Sequence, residues 1–214
     1  MKIKILLLLF SSYLFSSGYS QSVFGFKAGM QLTKITGAGN VPNSLLPTVQ
    51  IKGVAILPLS DEVTINPSLG YSGKGYKWTN LSFEDQLGNS LGEGDVIGLF
   101  HYLQLTIPLS YKIVADQNQE YYFGAGPYFG YAVSGKGKVK HAAVSSEEET
   151  WDLFADGAYK RTDAGIAVEI ASRLKKKFMI AFNVDIGLSD VSNQGGGKLK
   201  QMAAGLSIGY LFAK

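Results

Sequence analysis

The side chains able to carry chemistry are few and scattered. The chain has no cysteine and only two histidines, His101 and His141. Thiol chemistry is therefore excluded, and a hydrolytic triad or metal centre would have to collect Asp, Glu or Ser from distant segments. No spacing typical of either is present. Gly124, Gly126 and Gly130 superficially look like a dinucleotide loop. That chemistry needs a strand-to-helix turn aiming backbone N–H groups at phosphate, whereas these glycines alternate within one strand-like segment. Gly195, Gly196 and Gly197 run into Lys198-Leu199 and lack the Lys-Ser/Thr pair of a P-loop. An acidic run, Glu147 to Glu149 with Asp152 and Asp156, surrounds Trp151, Leu153 and Phe154. It lacks calcium-loop spacing and reads as a solvated loop. Its three apolar residues are the candidate contact for a protein or lipopolysaccharide. No catalytic, cofactor-binding or metal-binding set emerges, so no enzyme and no cofactor are expected.

The elements that would position these residues are strands. From Phe178 to Ser189, Phe178, Ile180, Phe182, Val184, Ile186 and Leu188 alternate with Met179, Ala181, Asn183, Asp185, Gly187 and Ser189. That period of two makes one fully apolar face. It recurs over 23–35, 49–57, 65–74, 102–112, 122–133, 163–174 and 202–212, although Pro67 cannot donate to a ladder. Eight strands result. Short turns at 60–62, 115–120 and 175–177 alternate with longer connections at 36–46, 79–98, 134–160 and 190–198. An all-β, antiparallel, up-and-down barrel with both termini on one side has this asymmetry.

Residues 1–20 read as a signal peptide, with Lys2 and Lys4 before an apolar run and Gly18 and Ser20 as the small −3/−1 pair. Residues 21–214 form the barrel domain. The 20 basic residues, less the two leader lysines, nearly balance 17 acidic ones, which leaves no electrostatic footprint for nucleic acid. After Gln21 no apolar run reaches the ~18 residues of a spanning helix. A membrane location therefore demands a closed transmembrane barrel.

Alternation alone fits either a lipid-facing apolar surface or a soluble, lipocalin-like barrel holding an apolar ligand. The second face decides. It carries Gly29, Gly70, Gly124, Gly126, Gly165, Gly205 and Gly209, which suit a crowded lumen. It also carries Lys52, Glu169 and Asp185, which an apolar cavity could not solvate. Aromatics near strand ends, among them Phe24, Tyr71, Trp78, Phe178, Tyr210 and Phe212, suit interfacial girdles. Lys52, Glu169 and Asp185 are expected to form an ionic network that plugs the lumen.

The segments FGFKAGMQLTKI (24–35), ILPLSDEVTINPSLGYSGKGYKW (56–78), HYLQLTIPLSYKI (101–113), YYFGAGPYFGYAVSG (121–135) and AAGLSIGYLF (203–212) resemble the PorT-like outer-membrane β-barrel family common in Bacteroidetes. The resemblance implies an eight-stranded Gram-negative outer-membrane barrel, with some relatives serving secretion or gliding machinery and no catalytic residues. Gln104 stands where relatives often show an acidic residue before the proline. Phe212 is similar to the aromatic ending read by barrel-insertion machinery. The resulting expectation is a monomeric, lipid-embedded scaffold acting on a protein partner through its exterior loops or periplasmic turns. The alternatives are a barrel enzyme with a rim site near His101 and the soluble apolar-ligand carrier.

Overall fold

The computed structural model describes residues 22–37, 39, 41–84, 90–141, 149–155, 157–193 and 198–212. The signal peptide expected over 1–20 lies outside these residues. In chain order the strands are β1 (Val23–Thr36), β2 (Asn43–Ser44), β3 (Leu46–Pro58), β4 (Val63–Ile65), β5 (Ser68–Glu84) and β6 (Ser90–Thr106). They are followed by β7 (Leu109–Asp116), β8 (Gln119–His141), β9 (Glu149–Asp152), β10 (Thr162–Leu174), β11 (Phe178–Gly187) and β12 (Lys200–Leu211).

All pairings are antiparallel, and the sheet closes on itself. Strand β1 pairs with β3 on one side and with β12 on the other, from Gly25 opposite Leu211 to Thr36 opposite Lys200. The circuit continues from β3 to β4 and β5, from β5 to β6, from β6 and β7 to β8, and then through β10 and β11 to β12. Strands β4 and β5 form one span interrupted at Asn66-Pro67, and β6 and β7 form another interrupted at Ile107-Pro108. The ring therefore has eight spans. The interruptions meet: Asn66 N–H donates to Pro108 O, and Ile107 N–H to Pro127 O. The chain breaks its ladder where prolines cannot donate, and neighbouring strands absorb the orphaned groups.

Alternation was the right guide to sidedness. Met30, Ile51, Leu69, Phe182 and Ile208 face outward, Ile208 reaching 70% exposure, while Lys27, Gln31, Lys52, Lys74, Asn183 and Asp185 are buried inside. This overturns the soluble apolar-ligand carrier, which needs the opposite sidedness. Phe24, Phe26, Phe178 and Phe212 are exposed at the periplasmic end, with Tyr210 half-buried among them. Tyr71, His101 and Tyr131 mark the other edge of the apolar band. Trp78, expected in a girdle, instead stacks on Tyr76 with ring centres 4.3 Å apart.

The connections expected over 79–98 and 134–160 hold long strand extensions. β5 and β6 each run 17 residues and β8 runs 23, where about ten suffice to cross a bilayer. Beyond the membrane the buried face of β8 is largely glycine, Gly135 beneath Leu153 and Phe154 and Gly137 beneath Trp151, so no apolar alternation marks these extensions. The added strand β9 pairs with β8 from Glu149 opposite Val139 to Asp152 opposite Lys136.

Candidate functional site

The lumen is built in three layers. At the periplasmic end Val54, Ile56, Tyr122, Ala171, Met179, Ala181 and Leu211 form a buried apolar cluster. Beside it Glu120 accepts from Tyr122 Oη at 2.7 Å and pairs with Arg173 at 2.9 Å. At the extracellular end Ile35, Tyr76, Phe100, Tyr102, Ala132, Leu153 and Val191 make a second cluster. Phe100 packs edge-on against Tyr159 at 5.2 Å, and the Tyr76 and Tyr159 hydroxyls meet at 2.9 Å.

Between the two lies the charge. Lys74 Nζ sits 3.1 Å from Asp163 Oδ2 and 3.3 Å from Asp185 Oδ2, and 3.9 Å from the centre of the Tyr128 ring. Tyr128 Oη donates to Asp163 Oδ2 at 3.0 Å, Ser189 Oγ donates to Asp163 Oδ1 at 3.2 Å, and Gln104 Nε2 donates to Asp185 Oδ2 at 2.9 Å. Lys27 pairs with Glu169. Amides complete the layer: Gln50 Nε2 donates to Asn183 Oδ1 at 2.8 Å, and Gln31 Nε2 to Ser72 Oγ at 3.1 Å. Carboxylates and ammoniums removed from bulk water are costly unless paired and hydrogen-bonded. Lys27 and Lys74 meet that demand by direct pairing with the three acids, Glu169, Asp163 and Asp185.

The expected trio is thus distributed differently. Lys52, Glu169 and Asp185 all lie inside, but the direct partners are Lys27 for Glu169 and Lys74 for Asp185. Lys52 is buried and makes no ion pair within 4.0 Å among the described residues. Alternation also puts Lys27, Lys74 and Asp163 on the lumen face. Alternation was the available signal, but it does not say which residues meet across the ring. Gln104 fills its position as a neutral donor to Asp185.

His101, the anchor of the alternative rim site, lies on the outer face between the inward Phe100 and Tyr102. Its Nδ1 lies 2.8 Å from Tyr71 Oη. Among the described residues no group of three or more His, Asp or Glu side chains is placed to hold a metal. The His141 side chain lies outside the described residues, as do Glu147, Glu148 and Asp156.

The candidate loop contact narrows. Leu153 is 2% exposed and belongs to the extracellular cluster, so it is corrected from a surface contact to a core residue. Phe154 packs against Phe100 at 5.9 Å and under the Arg161 guanidinium at 4.2 Å. Only Trp151 remains presented, 39% exposed and laid over Gly137, where an added Cβ would strike the indole.

Several known outer-membrane proteins are similar to this chain. The attachment invasion locus protein Ail of Yersinia pestis is 14% identical, covering 90% of this chain and 99% of its own, with a TM-score of 0.45. Neisserial surface protein A is 11% identical, covering 90% and 98%, with a TM-score of 0.43. The outer membrane protein OprG of Pseudomonas aeruginosa is 13% identical, covering 92% and 99%, with a TM-score of 0.43. No curated protein matches the chain. The outer membrane protein beta-barrel domain family matches residues 16–193. With a closed ring, an outward apolar band and a charged lumen, the chain is an outer-membrane, lipid-contacting β-barrel and belongs to that family.

Proposed function

We propose that this barrel is a non-enzymatic surface scaffold that works through its extracellular β-platform while its lumen stays closed to transport. The observation that carries the reading is the sheet formed above the bilayer by β5, β6, β8 and β9, with Trp151 on its face. Backbone pairing makes this a preformed surface, so a partner meets little ordering cost. An exposed tryptophan in a polar surround is the type of residue that dominates interface energy. The two apolar layers that stopper the lumen support the closed reading. The secretion-accessory role implied by the PorT-like resemblance is the process in which such a scaffold would serve.

The test is affinity capture from gently solubilised outer membranes with the intact chain and Trp151→Ala. Deleting the whole 145–156 segment would also remove Leu153 and Phe154 from the lumen cap, so the point variant is the cleaner probe. A specific protein retained by the intact chain and lost with Trp151→Ala, with folding unchanged, is expected. Identical retention profiles would overturn the contact, and a large, stable conductance in planar bilayers would overturn closure.

A further inference from the structure

The lipid-facing surface is not uniform. At the periplasmic end of β1, β11 and β12 it is indented by an apolar groove of about 480 Å³. Phe26, Phe178 and Tyr210 wall it, with Ala28, Ile180 and Ile208 among its other lining residues. The walls brace each other: the Phe178 and Tyr210 rings meet edge-on at 5.8 Å, and Phe26 lies 6.5 Å from Tyr210. Large rings flanking small Ala28 create a slot of acyl-chain character.

Next to Phe178 is the turn Lys175-Lys176-Lys177, exposed at all three residues. None of the three ammoniums has an ion-pair partner within 4.0 Å among the described residues. Arg173 and Glu120 pair with each other, and Asp116, which accepts the Asn118 N–H at 2.6 Å, is a single carboxylate set against three lysines at the turn. A second depression of about 380 Å³, lined by Asp116, Gln119, Leu174, Lys175 and Phe178, continues from the groove to this turn. The other two periplasmic turns carry acids, Asp61 with Glu62 and Asp116, so positive charge is confined to the turn that borders the groove.

The turn conformation sharpens the point. Lys177 N–H donates to Leu174 O at 3.1 Å, and Lys175 and Lys176 have φ of 49° and 60°. These are the two central positions of a type I′ turn, which Asn and Gly occupy at least cost. Lysines held there keep charge at the expense of local comfort.

From the groove and its basic rim we infer a binding site for one anionic glycerophospholipid of the periplasmic leaflet, with an acyl chain between Phe26, Phe178 and Tyr210 and the phosphate on Lys175 to Lys177. A lysine beside an anionic lipid surface contributes attraction that zwitterionic lipid does not supply. This site is independent of the extracellular scaffold reading.

Native mass spectrometry of the detergent-purified chain, with equal phosphatidylglycerol and phosphatidylethanolamine added, tests it. One retained phosphatidylglycerol per barrel is expected, at a preference of about fivefold or more. Lys175→Asn with Lys176→Gly suits the turn and should bring the preference close to one with folding intact. Ala28→Phe fills the slot while leaving the lysines, and should remove the retained lipid. Equal retention of both lipids by the intact chain would overturn the proposal. So would a preference that survives either variant.

Discussion

Lys74 and Asp163, 89 residues apart in the chain, meet across the lumen at 3.1 Å with side chains 1% and 0% exposed. Each is the other's substitute for water. Removing Lys74 strands Asp163 and Asp185 together in a region of low polarity. Lys74→Met is therefore expected to destabilise the barrel by about 3–5 kcal/mol, the cost of leaving a buried charge unpaired. Urea titration in lipid vesicles, followed by heat-modifiable gel mobility, would measure it.

Lys52→Met makes an informative contrast. Lys52 shares the layer but contacts no carboxylate directly, so its loss breaks no close pair. The unfolding midpoint should fall clearly less than for Lys74→Met. An equal or larger drop would show that long-range compensation, not contact, holds the layer together.

Gly137 exists to seat an indole. A side chain there would collide with the Trp151 ring, so Gly137→Val should push Trp151 off the β8 surface. A red shift and greater quenching of its fluorescence are expected, read in a background with Trp78 replaced by Phe. Barrel stability should change by no more than about 1 kcal/mol, since Trp151 lies outside the buried core.

Asp190, in the extracellular link before β12, accepts the backbone N–H groups of Ser192 and Leu199, each at 3.0 Å. Those bonds, Ser192 first, favour its charged form and hold its carboxyl below the ordinary aspartate range. A depressed carboxylate contributes order that is complete above the unfolded-state pKa and is lost as pH falls through the folded value. The Ser192 and Leu199 amide signals in micelles should stay constant through mildly acidic pH and move only below the usual aspartate midpoint. Asp190→Asn should remove that titration.

What the chain revealed in advance tracks where water is. Within the bilayer, the contrast between Phe182 and Asn183, or Ile208 and Ser207, is imposed by solvents on opposite sides of one strand, and alternation reads it directly. Above the bilayer Lys136, Lys138 and Lys140 line the outer face, while the opposite, buried face is Gly135, Gly137 and Val139, too little apolar surface to show that β8 continues to His141. The lumen was half legible for a different reason. Alternation puts Lys27, Lys52 and Lys74 on the inner face, but which acid each meets depends on the stagger of the ring, a property of all eight spans at once. Leu153 misled in the same way, because the cap it joins is assembled from β1, β5, β6 and the link near Val191.

The seam between β1 and β12 joins the earliest strand to the latest along twelve residue positions. Until the segment ending at Leu211 arrives, both flanks of the growing sheet are raw templates, and no subset of strands can satisfy its own backbone in hydrocarbon. Truncation ahead of β12 should therefore yield no smaller barrel, only chain awaiting degradation. Assembly of this barrel is a single decision taken at β12.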